Sequence, residues 1–187
     1  MKKVIVVATV LILALNLSHA QDYKPFQLYM GLGAAIPEGG GGILFNVEPT
    51  YRVSDQIAVG LRIESVLMAS EVDGNTNDLY AVGSYSVNGK FYLSNERFRL
   101  YIGAGFGLYV TGALTLAEED GIASSTQIGF YPRIGFDLGH FNVNIDYNIV
   151  SKTGYLALND DLSFTPREVK NNYMGIRVGA FVFGGRK

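Results

Sequence analysis

The sequence predicts an all-β fold: an eight-stranded antiparallel up-and-down transmembrane β-barrel. Three observations carry the prediction. Segment after segment alternates apolar with polar residues, glycine and aromatic residues crowd the same segments, and long and short connections take turns along the chain. A period of two marks a strand with one face in an apolar environment.

The chain begins with a segment of a different kind. MKKVIVVATVLILALNLSHA has a basic start at Lys2 and Lys3, an apolar run from Val4 to Leu15, and small residues at Ser18 and Ala20. This is the layout of a secretory signal peptide, expected to be cleaved after Ala20, which leaves residues 21–187 as one barrel domain. A membrane helix is the competing reading, but it needs roughly 20 apolar residues, and this run stops at Asn16. No second apolar run approaches that length, so entry into a membrane has to proceed through strands.

Eight alternating segments follow. Phe26 to Ile36 sets Leu28, Met30, Leu32 and Ala34 against Gln27, Tyr29, Gly31 and Gly33. Ile43 to Val53 sets Phe45, Val47, Pro49 and Tyr51 against Asn46, Glu48, Thr50 and Arg52. Ile57 to Met68 alternates Val59, Leu61 and Ile63 with Ala58, Gly60, Arg62 and Glu64, then blurs at Val66 and Leu67. Leu79 to Leu93 opposes Ala81, Tyr85, Val87 and Phe91 to Tyr80, Ser84, Ser86, Asn88, Lys90 and Tyr92.

The fifth segment, around RLYIGAGFGLYV, first suggests a glycine-rich phosphate cradle. Its even positions from Phe98 to Val110 are all apolar, however, and its odd positions are Arg99, Tyr101, Gly103, Gly105, Gly107, Tyr109 and Thr111. A dinucleotide fingerprint interrupts a strand with a tight turn and opens a helix, whereas this run continues its alternation without a break. The sixth segment, Ile128 to Leu138, places Gly129, Tyr131, Arg133, Gly135 and Asp137 on the polar face. The seventh, Phe141 to Ile149, places Asn142, Asn144, Asp146 and Asn148 there. The eighth, Tyr173 to Phe183, alternates Met174, Ile176, Val178, Ala180 and Val182 with Tyr173, Gly175, Arg177, Gly179, Phe181 and Phe183.

The connections after odd segments are the longer ones: PEGGGG, ASEVDGNTND, the stretch ALTLAEEDGIASSTQ, and Ser151 to Lys170. Those after even segments are tight, namely SDQ, SNER and Gly139-His140. A meander with turns at one end and loops at the other has this rhythm.

The composition of the two faces decides which one is wet. The polar face is dense in glycine and tyrosine with isolated charges, a poor exterior for a soluble barrel but a suitable lining for a narrow interior. The apolar faces of the last four segments carry no charge. A Lys or Arg facing the bilayer midplane costs about 2–4 kcal/mol, which accounts for that exclusion. Phe26, Tyr51, Phe91, Phe98, Phe136 and Phe141 gather on the apolar face toward the short turns, as an interfacial girdle does. A soluble periplasmic β-sandwich or barrel is the competing reading.

On these features the chain resembles the outer-membrane β-barrel family of Gram-negative bacteria, its small eight-stranded members in particular. The resemblance spans Gln21 to Phe183 and rests on the signal peptide, the alternation in YIGAGFGLYV and YMGIRVGAFVF, and the loop rhythm. It implies an outer-membrane location, periplasmic termini and short turns, longer extracellular loops, and membrane lipid and the barrel assembly machinery as partners, with any extracellular ligand of the loops left open. One departure stands out: family barrels often end on an aromatic residue, whereas Phe183 is followed by Gly184, Gly185, Arg186 and Lys187.

The inner face supplies the candidate site. Glu48, Arg52, Arg62, Glu64, Lys90, Arg99, Arg133, Asp137, Asp146 and Arg177 form a mixed set of lumen-facing charges. Eight strands leave an interior just wide enough for side chains to fill, so the reading is a plugged lumen in a monomer with a structural, surface-interaction or adhesive role. A narrow porin-like channel for small solutes is the alternative, and a lipid-modifying outer-membrane enzyme ranks below it. Barrel hydrolases pair a nucleophile with a base, but the chain past Ala20 holds a single histidine, His140, in a short turn. With no cysteine in the chain, thiolate metal sites and disulfides are excluded. The reading therefore expects no enzyme activity, no cofactor and no metal. Past Ala20 there are 13 basic and 17 acidic residues with no basic run, which argues against nucleic acid as a partner. Glu118, Glu119 and Asp120, with Asp160 and Asp161, give the expected outer loops an acidic character.

Overall fold

The alternating segments form strands because each buries a polar inner face while keeping an apolar outer one. The computed structural model describes residues 24–71, 77–94, 96–113, 125–158, 164–169 and 171–184. The expected signal peptide lies outside these residues, as do the acidic loop positions Glu118 to Asp120 and Asp160-Asp161. The strands are β1 (Phe26–Pro37), β2 (Gly40–Arg52), β3 (Ile57–Glu71), β4 (Asn77–Tyr92), β5 (Phe98–Ala113), β6 (Ser125–Leu138), β7 (Phe141–Val150), β8 (Thr153–Leu158), β9 (Phe164–Val169) and β10 (Tyr173–Phe183). Eight of them close into an antiparallel barrel in the order β1-β10-β7-β6-β5-β4-β3-β2. Closure pairs Met30 with Ala180 and Leu32 with Val178 across the β1–β10 seam, so the barrel presents no open edge.

Strand lengths fit a membrane-crossing wall. A tilted transmembrane strand needs about 9–11 residues, and β7 and β10 have 10 and 11. At 15 and 16 residues, β3, β4 and β5 run beyond that span. The outer surface carries Ile102, Phe106, Leu108, Ile134, Phe141 and Ile145, all exposed. None of the described outward side chains on the barrel strands is charged. Phe98 and Phe136 meet there at 5.1 Å between ring centroids, and Phe26 meets Phe183 at 5.7 Å.

That last contact corrects the sequence expectation for Phe183, which placed it inside. The register across the seam shifts between Leu28, opposite Phe183, and Tyr29, opposite Phe181. Val182 is the extra residue of this bulge, so Val182 and Phe183 both face outward. Phe183 thereby joins the girdle at the short-turn end.

Two connections also differ from expectation. The PEGGGG stretch is a turn at Glu38 and Gly39 only, with Gly39 at φ 78°. Gly40, Gly41 and Gly42 pair in register with Ser70, Ala69 and Met68 of the long β3 strand, which draws them into the sheet. The segment Ser151 to Lys170 holds a hairpin, β8 with β9, pairing Leu156 with Pro166 and Tyr155 with Arg167. Its strands are short and one contains a proline, which reads as a break in a ladder even though an edge position tolerates it.

Proline leaves a mark inside the barrel too. The β6–β7 register runs through Phe130 with Ile149 and resumes at Arg133 with Asp146, skipping Tyr131 and Pro132. The β2–β3 register likewise skips Glu48 and Pro49. Proline has no N–H to donate, and the continuous registers on either side hold the wall together across each gap.

Candidate functional site: the barrel lumen

Period-two geometry sends every second side chain inward, and the described strands deliver all ten expected charges to the lumen. Glu48, Arg52, Arg62, Glu64, Lys90, Arg99, Arg133, Asp137, Asp146 and Arg177 are each buried. They group into three levels along the barrel. At the first, Glu64 of β3 accepts from Arg177 Nε at 2.8 Å and from the Tyr173 hydroxyl at 2.7 Å, both on β10. Asp146 of β7 accepts from Arg62 at 2.6 Å and from Arg177. Asn148 extends this level, accepting from Arg62 at 2.9 Å and from the Tyr109 hydroxyl at 2.8 Å.

The middle level is centred on Glu48 of β2, which binds Lys90 of β4 at 2.5 Å and Arg133 of β6 at 2.9 Å. Arg133 also reaches toward Asp146 at 3.7 Å, joining the two levels. At the third, toward the short turns, the register partners Arg99 and Asp137 approach to 3.7 Å, and Asn142 donates to Asp137 at 2.6 Å. Arg52 and Arg99 both stack on the Tyr92 ring, at 4.5 and 3.9 Å from its centroid. The pairs therefore join strands that lie across the barrel from one another as well as neighbours.

Glycine makes room for this lining. A Cβ at Gly105 would collide with Cζ and the hydroxyl of its register partner Tyr131, and one at Gly129 would collide with the Tyr109 ring. Tyr131 in turn carries the Arg62 guanidinium 3.6 Å above its centroid. These glycines thus accept rings from the adjacent strand.

An additional level was missed in the sequence. Ala35, Leu44, Val66, Met68, Val82, Tyr109, Val150 and Tyr173 form one buried apolar cluster inside the barrel, with Tyr80 packed against it. The signal was present in parity, since Val66 and Met68 share it with Arg62 and Glu64. An apolar inner position looks like a lapse in the alternation, which is why β3 reads as blurred there.

No protein-family profile and no curated protein matches the sequence. Solved structures do match. Neisserial surface protein A aligns with a TM-score of 0.57 at 13% identity, covering 88% of this chain and 99% of that one. The Yersinia pestis outer membrane protein Ail, in a phospholipid bilayer nanodisc, aligns with a TM-score of 0.51 at 14% identity, covering 83% of this chain and 99% of that one. The fold is that of the small outer-membrane β-barrels.

In this outer-membrane barrel fold His140 sits in the two-residue turn between β6 and β7 beside Gly139, whose φ is 61°. It is exposed, and its carbonyl accepts from Phe181 N at 2.8 Å. No group of three His, Cys, Asp or Glu with metal-holding geometry occurs among the described residues. The chemistry concentrated in the lumen is that of paired charges, stacked rings and amides.

Proposed function

We propose that this chain is an exported, non-enzymatic outer-membrane barrel of Gram-negative type whose lumen is closed to solutes. It acts through its lipid-embedded wall and its loops in a structural, surface-interaction or adhesive role. In this reading residues 1–20 are the cleaved signal peptide, and the barrel is a monomer with periplasmic termini and short turns. Its longer loops face outward, and it is inserted by the barrel assembly machinery.

The observation that carries the reading is the filled lumen: buried paired charges on three levels, with a buried apolar cluster above them. Glu48 and Asp146 each contact two or more cations from other strands, and Glu64 contacts Arg177 of β10 and Arg62 of its own strand. A conduction path needs sites that an ion can enter and leave readily, whereas these carboxylates are already held by arginine and lysine. Purified, refolded protein in planar bilayers is therefore expected to remain electrically silent. Steady single-channel steps would instead favour the narrow channel.

A further inference from the structure

The closed lumen is built from two kinds of layer, and they do not resist water equally. Below the apolar cluster the inner face of β2 and β4 carries Asn46, Ser84 and Asn88, all buried. Both polar atoms of the Asn46 and Asn88 amides and the Ser84 hydroxyl lack a hydrogen-bond partner within the protein. Arg62 Nε and one terminal nitrogen of Arg133 are in the same position. Buried polar groups left without partners cost about 1–3 kcal/mol each, and a site rich in them is where buried water is held. Unpartnered groups of this kind are the ones that buried water satisfies.

The apolar cluster is the opposite case. It draws residues from β1, β2, β3, β4, β5, β7 and β10, so it spans the bore as a layer. It sits where these strands approach the longer connections, with Ala35 near the end of β1, Met68 near that of β3 and Val150 closing β7. Its two tyrosines point their hydroxyls down to Glu64 and Asn148, leaving the rings in the layer. Apolar constrictions block ions by dewetting.

We propose that the seal of this lumen is the apolar layer of Leu44, Val66, Met68 and Val82 with its neighbours, and that the ion-pair levels beneath it are wet and do not themselves form the barrier. The inference rests on the closed-lumen reading above and names which layer does the closing. Three variants compared in planar bilayers test it, each first confirmed as folded by heat-modifiable gel mobility. Leu44→Ser with Met68→Ser, and the shape-preserving Val66→Thr with Val82→Thr, are expected to produce steady current steps from a silent baseline. Glu64→Gln with Arg177→Met, which dismantles the level beneath, is expected to stay silent. Silence from both seal variants overturns the inference, as do steps from the Glu64/Arg177 variant. Steps from the unmodified chain would instead contradict the closed-lumen reading itself.

Discussion

Replacing Asp146 with leucine is expected to lower the stability of the folded barrel by about 3–5 kcal/mol, the usual result of removing one partner from a buried ion pair. Asp146 contacts Arg62, Arg177 and Arg133, so the substitution leaves guanidinium groups from three strands short of a partner inside the barrel, away from bulk water. Neither Arg62 nor Arg177 has water-exposed surface to retreat to. Glu64 still holds Arg177 at 2.5 Å and lies 3.9 Å from Arg62, which prevents complete loss of pairing. The measurement is urea-induced unfolding in lipid vesicles, followed by tyrosine fluorescence or gel mobility. A change below about 1 kcal/mol, the range of exposed pairs, would mean that these charges are only weakly coupled.

The second large effect belongs to the outer face. Ile134 is 51% exposed on β6 and lies between Ile102 and Ile145 in register on the neighbouring strands. Arginine at this position is expected to cost about 2–4 kcal/mol in vesicles, the value for a cation on the lipid face near the bilayer midplane. The same change at Leu138, beside the girdle residues Phe98 and Phe141, should cost about 0–1 kcal/mol because arginine there reaches the interface. Equal, small effects at both sites would place the wall in water.

The two effects follow from different properties of the same alternating strands, and those properties differ in how clearly the sequence carries them. The alternation of β5 was fully legible: Arg99, Tyr101, Gly105 and Tyr109 share one parity, and that parity is the lumen. The ten lumenal charges were legible for the same reason, because a charge on the lipid face is too costly to occur by chance in strand after strand. Their pairing was not. That Arg62, Arg133 and Arg177 all converge on Asp146 depends on barrel closure and strand stagger, properties of the assembled sheet.

The missed features have a common physical cause. Leu44, Val66, Met68 and Val82 are apolar on the polar face, so a pattern method reads them as noise where the fold uses them as a layer. Val182 is a bulge at the seam, and one extra residue moves Phe183 from the inner face to the outer one. Gly40 to Gly42 look like loop by composition but are held in the sheet by β3. Each takes its place from partner strands in the closed sheet, which the local alternation signals weakly or not at all.

The apolar face of these strands is expected to meet lipid along its whole length. The chain has no cysteine, so single cysteines from position 100 to position 110 on β5 can each carry a spin label in vesicle-reconstituted protein. Collision rates with oxygen, which concentrates in the bilayer, and with a water-soluble nickel chelate are then compared site by site. The expected result is high oxygen and low nickel accessibility at positions 102, 104, 106 and 108, with low values for both at 103, 105 and 107. High nickel accessibility at the even positions would make this a water-exposed barrel and contradict the account.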